Sequence, residues 1–494
     1  MITRHRSTTP LKVSIPSLLL AALLTACGGS GSDSSSTNNT SGASKEQTIE
    51  AIDQAASADS IYSAANLPAV AITATTVNLG ELSTAKSLET ESSNGVAKVG
   101  LARDSMLTSS VSNVQEKLKW TATGNGGKIA AIQFVSTGAQ EIRIGLLAEK
   151  IPNGALFRTY PSGHRNEAIQ TTGAQILDML EANQQSGDSS DEARTWWAPS
   201  VENDEITLEI ELPAGVSSNE LTFSIPKLIH VYANAAAVAL KANAISGAET
   251  RAAGDSASCQ LDSSCYADYA TIRNSVALIK YLQNGVYYQC TATLLNNTQA
   301  NRVPYVATAH HCISKQTIAS TMESTWFFRS NSCNSLAYSS GKKSRNGATL
   351  LSTNTNPDFT LLRLNDTPPT GVTYAGWSTG KAAYGASVVG IHHPSGDLQK
   401  ISLGAVKYTL NCTINADTTM SCASSSSSTG NMYQVSWSKG ITEVGSSGSA
   451  LFASNKFVGL LSGGSSTCYG GDDLYTRFDQ AFSAVRSWLA PSAS

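Results

Sequence analysis

Alternating apolar and polar residues mark several short segments of the chain, and they are its first structural signal. The alternation is cleanest over residues 205–212, and residues 128–135 and 141–147 follow it as well. Successive side chains of a strand point to opposite faces, so these segments predict strands. A helical spacing of apolar residues fits 171–184, and residues 46–65 are compatible with a helix. The region 46–250 is therefore predicted to be β-rich, with one helix near 171–184.

The second half of the chain consists of short apolar runs that Gly, Asn and Ser turns separate. Its candidate strands are 275–282, 286–295, 303–308, 324–329, 358–364, 387–391 and 456–461. Many short strands without helices between them are typical of a β-sandwich or a pair of β-barrels. Residues 480–489 carry a helical stripe, which we expect to pack on this β structure.

The first 27 residues have the pattern of an export signal. Basic residues at positions 4, 6 and 12 accompany an apolar run, residues 14–24, that is too short to span a bilayer permanently. The run ends in Leu-Thr-Ala-Cys27, which resembles the bacterial lipoprotein signal box. That resemblance implies lipidation of Cys27, and Gly28 after it favours the outer membrane. The alternative is an ordinary secretory signal, and both predict an exported protein.

Composition excludes some classes of partner. Of 494 residues only 14% are charged and the formal net charge is −3, so neither a nucleic-acid surface nor an acidic tail is indicated. The length is sufficient for two or three cores. Residues 28–45 are small and polar and predict a flexible tether, and residues 246–258 predict a linker.

The nine cysteines are distributed unevenly. Without Cys27 eight remain, and all of them follow residue 255. An even number of cysteines in an exported chain predicts disulfides, so residues 255–490 are predicted to form a disulfide-stabilised domain distinct from the region 46–250. The sequence has no Cys-x-x-Cys pair that would indicate zinc or a thioredoxin-like redox site.

Three short segments contain the parts of a serine hydrolase. Residues 445–449 (Gly-Ser-Ser-Gly-Ser) offer Ser447 as a nucleophile, and residues 308–312 (Thr-Ala-His-His-Cys) offer His311 as its base. Residues 358–362 (Asp-Phe-Thr-Leu-Leu) offer Asp358 to orient that base. The order His, Asp, Ser is that of chymotrypsin and differs from the orders in subtilisin and the α/β-hydrolases.

Glycines around Ser447 permit a tight turn that aims two backbone N–H groups, those of Gly445 and Ser447, at one point. A carbonyl oxygen that becomes an oxyanion needs such a pair of donors. Taken singly, each candidate has a structural alternative: a serine in a Gly-Ser turn, a histidine without a chemical role, or a loop aspartate before a strand. We assign the structural alternative to His310.

Three further motifs extend the pattern: residues 375–377 (Ala-Gly-Trp), 391–394 (Ile-His-His-Pro) and 440–443 (Gly-Ile-Thr-Glu). Together with the three segments above they resemble the bacterial lysyl endopeptidases, which are chymotrypsin-fold serine proteases. The resemblance is collinear and covers about residues 255–490. It implies an all-β catalytic domain of two six-stranded β-barrels, with the active site in the cleft between them, preceded by a β-rich pro-domain.

The resemblance also implies a disulfide pattern. Its pairs are Cys259 with Cys468, Cys265 with Cys333, and Cys290 with Cys312. Cys412 and Cys422 are left over, are separated by a short polar loop, and are expected to pair with each other as an addition to the family pattern.

The family cleaves after lysine by means of an aspartate at the base of its side-chain pocket, because a buried carboxylate needs a cation. An Asp-x-Tyr-x-Arg match assigns this role to Asp473, and the adjacent Asp472 is a competitor. The alternative is that both are exposed turn carboxylates. Ser462, Gly463 and Gly464 are expected to pair with the substrate backbone and to open the mouth of the pocket.

The chain departs from the family at two places. The lysine-specific enzymes have a histidine at the position of Ser462, and it stacks on a tryptophan whose region here, residues 412–429, contains no Trp. Acceptance of arginine, or a broader preference, is therefore an alternative to strict lysine specificity. Ser446 stands where animal trypsins have the aspartate that binds their new N-terminus, so activation through that ion pair is not expected.

The region 46–250 resembles the pro-region that precedes this type of protease in bacteria. It is expected to help the cysteine-rich domain to fold and to be released by cleavage near the 246–258 linker. Lys241 and Arg251 are the basic residues suited to self-cleavage, and Arg251 is favoured.

These features predict an exported serine endopeptidase, made as a precursor, that cleaves after basic residues and is either an outer-membrane lipoprotein or secreted. Expected partners are protein or peptide substrates, its own pro-region, and a membrane only through a lipid at Cys27. No metal, organic cofactor or nucleic acid is implied, since a metal site built from His310, His311, His392 and His393 fits no zinc spacing. The alternatives are a catalytically inactive, surface-anchored binding protein with the protease fold, and a permanent targeting domain at 46–250.

Overall fold

The computed structural model describes residues 46–55, 67, 70–82, 96–232, 256–335, 337–415, 419–425 and 429–492. They belong to one compact unit, Glu46–Ser494. The predicted signal and tether, and the candidate cleavage sites Lys241 and Arg251, lie outside the described residues. Within the described part of the chain, no helix has both the length and the apolar character needed to cross a membrane.

The N-terminal domain is built mainly from strands, as predicted. Its strands, together with one short strand that precedes them, are β1 Ile52–Asp53, β2 Thr75–Asn78, β3 Ala97–Asp104, β4 Thr121–Ala122, β5 Lys128–Val135, β6 Glu141–Lys150, β7 Leu156–Pro161, β8 Ile169–Thr172, β9 Thr195–Trp197, β10 Glu205–Leu212 and β11 Thr222–Val231. Its α-helices are α1 Val111–Lys117 and α2 Gly173–Gln185, and its 3-10 helices are Met106–Thr108, Arg165–Glu167, Glu192–Arg194 and Ser218–Glu220.

Two sheets enclose the core of this domain. One has the order β2-β5-β10-β7-β8 with β4 on the edge of β5, and the other contains β3, β11, β6 and β9. The predicted helix at 171–184 is α2, which begins at Thr172 with a capping box formed by the Thr172 and Gln175 side chains. The helix packs on the core through Ile176 and Leu180.

The alternating strand β10 has its polar face buried as well as its apolar face. Glu209 is fully buried and pairs with Arg158 at 2.9 Å and with Arg165 at 2.6 Å, and Glu211 pairs with Arg158 at 2.7 Å. The alternation that predicted a half-exposed strand therefore separates an apolar core from a layer of buried ion pairs.

The expectation of a helix over 46–65 is wrong for its described part. Residues 46–55 are extended, and β1 pairs antiparallel with a strand of the C-terminal domain, Thr373–Tyr374. The backbone N–H of Ile49 donates to O of Trp377, and that of Gln54 donates to O of Val372, both at 2.9 Å. A short segment forms a helix only marginally in isolation, so these backbone pairs decide its conformation.

The C-terminal domain continues the strand series. Its strands are β12 Leu261–Asp262, β13 Val276–Gln283, β14 Val286–Leu295, β15 Tyr305–Thr308, β16 Glu323–Trp326, β17 Lys342–Ser344, β18 Ala348–Asn354, β19 Phe359–Leu364, β20 Thr373–Tyr374, β21 Ser387–His392, β22 Lys400–Ile414, β23 Met420–Ser424, β24 Met432–Lys439, β25 Ala450–Ala453, β26 Lys456–Gly464 and β27 Asp472–Arg477. Its α-helices are α3 Ala270–Arg273, α4 Gln316–Ala319 and α5 Phe478–Leu489, and its 3-10 helices are Ser263–Cys265, Ala267–Tyr269 and Pro394–Gly396.

Two barrel-like sheets form this domain, and the second one is closed. Its strands follow the order β22-β21-β25-β26-β27-β24, and β24 pairs back onto β22. The first sheet, β17-β16-β13-β14-β15-β19-β18, stays open between β17 and β18 among the described residues, unlike the closed barrel that we expected. The turn between these two strands binds the Asp366 carboxylate through the N–H groups of Arg345 and Asn346 instead of extending the pairing.

One sheet passes through both domains. On one edge β3 pairs with β11 of its own domain, and on the other it pairs with β14, which forms a sheet of eleven strands among the described residues. Buried ionic contacts reinforce the junction: Glu141 pairs with Lys280 at 2.8 Å, and Ser200 Oγ donates to Glu323 at 2.6 Å.

All four expected disulfides are confirmed. They join Cys259 to Cys468, Cys265 to Cys333, Cys290 to Cys312 and Cys412 to Cys422.

Candidate active site

Ser447 lies in a tight turn between β24 and β25 that depends on two glycines. Gly445 has φ +85° and Gly448 has φ +80°, a backbone conformation that favours glycine. Backbone N–H groups of Ser446 and Ser449 close the turn by donating to O of Glu443 and O of Ser446, both at 3.0 Å. The turn buries Ser447, which is 2% exposed.

The turn is held between the two barrels. From the first barrel, the N–H of Thr291 on β14 donates to O of Ser447 at 2.9 Å. Toward the second, the N–H of Gly448 donates to O of Leu461 on β26 at 2.8 Å. The candidate nucleophile therefore sits at the junction of strands from both barrels, where the resemblance placed the cleft.

Gly448 also brings the turn against the strand that leads to His311. A Cβ added at Gly448 would lie 2.3 Å from Thr308 Oγ1 and 2.9 Å from Ala309 N. Only a residue without a side chain permits this approach, so the second glycine of the turn has a packing role beyond its conformation.

His311 and Asp358 are in direct contact, as predicted from their motifs. Asp358 Oδ2 is 2.8 Å from His311 Nδ1, and Asp358 Oδ1 accepts the backbone N–H of His311 at 3.0 Å. His311 Nε2 is buried and has no hydrogen-bond partner among the described residues. With Nδ1 bound to the carboxylate, Nε2 is the ring atom that can exchange a proton with a neighbouring hydroxyl.

Asp358 is fully buried yet stays ionised. Burial alone would raise the pKa of its carboxyl, but the nearby His311 charge and hydrogen bonds from His311 and Ser462 hold the pKa below its ordinary value. The Ser462 hydroxyl, expected at the substrate edge, itself lies 2.8 Å from Thr476 Oγ1.

His310 points away from this pair. Its Nδ1 is 2.7 Å from Thr353 Oγ1, and its Nε2 is 3.2 Å from Thr355 Oγ1. Burial lowers the pKa of His310, which favours its neutral form, and the two threonine hydroxyls hold its ring away from Asp358.

His392 contacts the serine turn through Ser446. Its Nδ1 is 2.8 Å from Ser446 Oγ and its Nε2 is 3.1 Å from Ser402 Oγ, and Ser402 Oγ donates to O of Ile441 at 2.9 Å. Ser402 therefore accepts from Nε2–H, and Nδ1 accepts from Ser446. Burial lowers the pKa of His392 to about 3, so the ring is neutral. Sequence reasoning missed this contact of His392 with Ser446, the residue before Ser447.

His393 also has a structural environment. Its Nδ1 is 3.1 Å from O of Asp397, and its ring stacks on Phe328 with centroids 6.1 Å apart. Burial lowers its pKa to about 4. Within the described part of the chain, His, Cys, Asp and Glu side chains form no cluster suited to a metal ion.

Asp473 and Asp472 point in opposite directions because they are neighbours on strand β27. Asp472 faces outward and pairs with Lys407 at 2.9 Å. Asp473 is 1% exposed and pairs with no Lys or Arg of the described residues. Burial raises the pKa of Asp473, and its hydrogen bonds oppose that rise.

Three side-chain donors bind one oxygen of the Asp473 carboxylate, the backbone N–H of Ser466 donates to the other at 3.2 Å, and sequence reasoning missed all of them. Oδ2 accepts from Trp437 Nε1 at 2.6 Å, from Thr442 Oγ1 at 2.7 Å and from Ser466 Oγ at 2.8 Å. Trp437 also packs edge-on against Tyr475, with centroids 5.9 Å apart. The resemblance directed attention to residues 412–429, which contain no Trp, whereas Trp437 lies on strand β24, beyond that region.

Ser462, Gly463 and Gly464 end strand β26 directly above this carboxylate. A Cβ at Gly464 would lie 2.0 Å from Asp473 Oδ1, and one at Gly463 would lie 2.7 Å from Met420 Cε. Glycine at 464 thus lets the end of β26 approach the buried carboxylate closely, and the β22–β23 hairpin, which carries Met420, covers Gly463.

Ser446 does not bind the start of the C-terminal domain, which Glu443 holds instead. The N–H of Ala257 donates to Glu443 Oε2 at 3.0 Å, and Gln260 Nε2 donates to the same oxygen at 2.7 Å. Residues 257–260 are therefore bound to Glu443, which lies four residues before Ser447 in the same turn.

Two family models match the chain. The C-terminal domain of lysyl endopeptidase matches residues 253–477, and the N-terminal domain of lysyl endopeptidase matches residues 67–232. A curated lysyl endopeptidase of Pseudomonas aeruginosa is 28% identical over 397 residues, which cover 76% of this chain and 78% of that protein.

Two solved protease structures match part of the chain. The active form of the Rv3671c protease from M. tuberculosis has a TM-score of 0.32 and 16% identity, covering 45% of this chain and 84% of that chain. The MamO protease domain of Magnetospirillum magneticum has a TM-score of 0.30 and 14% identity, covering 44% of this chain and 97% of that chain.

Proposed function

Because the chain belongs to the lysyl endopeptidase family and is a serine endopeptidase, we propose that it cleaves polypeptides after basic residues with Ser447, His311 and Asp358. The observation that carries this proposal is the joining of the three segments at one place: the His311–Asp358 pair at 2.8 Å and the Ser447 turn that abuts the strand leading to His311.

The reaction follows from this arrangement. Ser447 Oγ attacks the scissile carbonyl carbon while His311 Nε2 takes the hydroxyl proton, and Asp358 stabilises the imidazolium. The N–H groups of Gly445 and Ser447 bind the oxyanion. His311 then gives its proton to the leaving amine, an acyl-serine remains, and water releases the acid by the same steps in reverse.

Asp473 selects the basic side chain before the scissile bond. Its carboxylate is buried, has three side-chain donors and no cationic partner among the described residues, which supports a site that a substrate cation completes. Lysine is the preferred side chain, as in the family. Trp437 confines the carboxylate, and arginine is the second candidate because no histidine stands at Ser462.

The precursor and its location are part of the proposal. Four disulfides are typical of an oxidising compartment, and they support export. We propose that residues 46–250 are a pro-region released by cleavage at Arg251, and that Cys27 carries a lipid anchor. N-terminal sequencing of the processed protein and metabolic labelling with a fatty acid test the two statements separately.

The endopeptidase proposal is tested by mass spectrometry of peptides that the processed protein cuts from a denatured proteome. Cuts after Lys or Arg are expected, and Ser447→Ala should reduce their rate by a factor on the order of 10⁴ or more. A folded, processed protein without Ser447-dependent cuts would favour the inactive binding protein instead.

Asp473 has a matched control in its neighbour. Asp473→Asn should lower kcat/KM for lysine substrates by roughly 10²–10³-fold, which corresponds to the loss of a buried charge pair of about 3–4 kcal/mol. Asp472→Asn, which removes the outward carboxylate bound to Lys407, should stay within about twofold. Equal effects of the two substitutions on kcat/KM would contradict the assignment of Asp473 to the substrate pocket.

A further inference from the structure

Strand β3 of the N-terminal domain lies along one edge of strand β14 in the C-terminal domain. It pairs antiparallel with β14, and the register sets Ala97 opposite Gln289 and Leu101 opposite Val286. Its other edge pairs with β11 of its own domain. The N-terminal domain therefore covers the edge of β14 over Val286–Gln289.

This edge leads directly to the candidate nucleophile. After Gln289 comes Cys290, which is bonded to Cys312. The next residue, Thr291, donates its backbone N–H to O of Ser447 at 2.9 Å. Of the two ends of β3, the N-terminal one, at Ala97, is therefore nearer to Ser447.

Val96, immediately before β3, fills an apolar site beside the disulfide. It is 7% exposed and belongs to the same hydrophobic cluster as Cys290, Cys312 and Ala309. A side chain of the N-terminal domain is thereby buried in the core of the C-terminal domain, directly before the pairing of Ala97 with Gln289.

An extended peptide that crosses Ser447 meets one strand on each side of the serine turn. β26 contacts the turn through Gly448 N–H and O of Leu461, and β14 contacts it through Thr291 N–H and O of Ser447. If the residues before the scissile bond pair with the end of β26, the residues after it run toward β14. The free edge of a strand is a docking site for such an extended segment.

We propose that the β14 edge, Val286–Gln289, binds the leaving-group side of polypeptide substrates, and that β3 with Val96 occupies this site in the uncleaved chain. The N-terminal domain then inhibits by strand exchange: it competes with the part of a substrate beyond the scissile bond and spares the Asp473 pocket. This inference rests on the proposed endopeptidase function.

The test compares uncleaved and processed protein on two substrates with the same lysine acyl group. One is a lysine p-nitroanilide, and the other continues for several residues beyond the lysine. The uncleaved form carries Lys241→Gln and Arg251→Gln, and mass spectrometry checks its intact length. Both forms should hydrolyse the anilide with kcat/KM within about threefold, while the uncleaved form should cleave the peptide at least about tenfold more slowly than the processed form.

Variants of β3 locate the effect. Val96→Asp places a charge in the apolar cluster and should raise peptide cleavage by the uncleaved form at least about tenfold. If that variant does not fold, Val96→Ser weakens the same contact at lower cost and should shift the rate in the same direction. The control is Asp104→Ala at the exposed far end of β3, which should leave peptide cleavage low.

Labelling of Ser447 with a small fluorophosphonate counts the folded sites in each form. Equal suppression of both substrates in the uncleaved form would overturn the proposal, because the block would then lie at the catalytic centre itself. Equal cleavage of the peptide by both forms would overturn it as well. A folded processed form that hydrolyses neither substrate would instead remove the proposed function on which the inference rests.

Discussion

At the scale of single residues, the serine turn depends on positions where no side chain fits. Gly448 combines a positive φ of +80° with backbone and side-chain atoms closer than 3.0 Å to any added Cβ. Gly385 has a similar φ of +76° but has nothing within 4 Å of an added Cβ. A comparison of substitutions at these two glycines therefore separates the free-energy cost of the backbone conformation from the cost of a steric clash.

Gly448→Ala should therefore destabilise the protein by about 3 kcal/mol or more and abolish most activity, because the turn must move away from Ala309. Gly385→Ala should cost about 1 kcal/mol from its backbone conformation alone and leave kcat/KM unchanged. Urea unfolding and kinetics on a lysine anilide check both. Similar behaviour of the two variants would contradict the packing argument.

At the scale of elements, strand β14 and the β22–β23 hairpin border the candidate cleft from opposite barrels. β14 carries Cys290 and Thr291, which fix the His311 segment and the serine turn. The hairpin is closed by Cys412–Cys422, with a sequence separation of 10, and its Met420 covers Gly463. One element therefore holds the candidate catalytic segments, and the other covers the proposed substrate edge.

Removal of the hairpin disulfide by Cys412→Ser with Cys422→Ser should cost about 3 kcal/mol at most, since it closes a short loop. Because Met420 lies over the substrate edge, KM should change severalfold while kcat stays close to that of the unmodified protein. The control is Cys265→Ser with Cys333→Ser, which should affect stability but not KM. A fall in kcat with unchanged KM would assign the hairpin a different role.

At the scale of the whole molecule, a continuous sheet and buried charges bind the N-terminal domain to the C-terminal domain. Glu141 is fully buried and its partner Lys280 is 12% exposed, whereas Glu202, which pairs with Lys343, is 47% exposed. Burial raises the pKa of Glu141 less than its lysine neighbours lower it, so the carboxylate is ionised. Water can therefore replace a lost partner at the exposed Glu202 but not at the buried Glu141.

In the uncleaved chain, with Ser447→Ala to prevent processing, Glu141→Gln should lower the unfolding free energy by about 3 kcal/mol because Lys280 loses its buried partner. Glu202→Gln should lower it by less than about 1 kcal/mol. Denaturant unfolding of both variants measures the difference. Equal losses would mean that the junction does not depend on the buried pair.

Local patterns predicted the elements well. The segments 128–135, 205–212 and 286–295 coincide with β5, β10 and β14, since alternation and bounding turns are properties of the chain itself. The motif residues His311 and Asp358 are in contact as well, because each lies at the end of a strand that leads into the site. The extended state of residues 46–55 was missed, because their partners are distant in sequence, as with Gln47 and Thr379, which are 332 residues apart.

The sequence by itself determined several strands of the C-terminal domain, among them β13, β14 and β19, the residues offered for chemistry and the even set of cysteines, because these depend on residue type and local spacing. Only the tertiary structure decided that Asp473 faces inward to Trp437 while Asp472 faces out, that the polar face of β10 is buried, and that β3 lies on the edge of β14. Such facts depend on which distant strands become neighbours, and backbone hydrogen bonds join strands of many sequences equally well, so local patterning does not specify the partner.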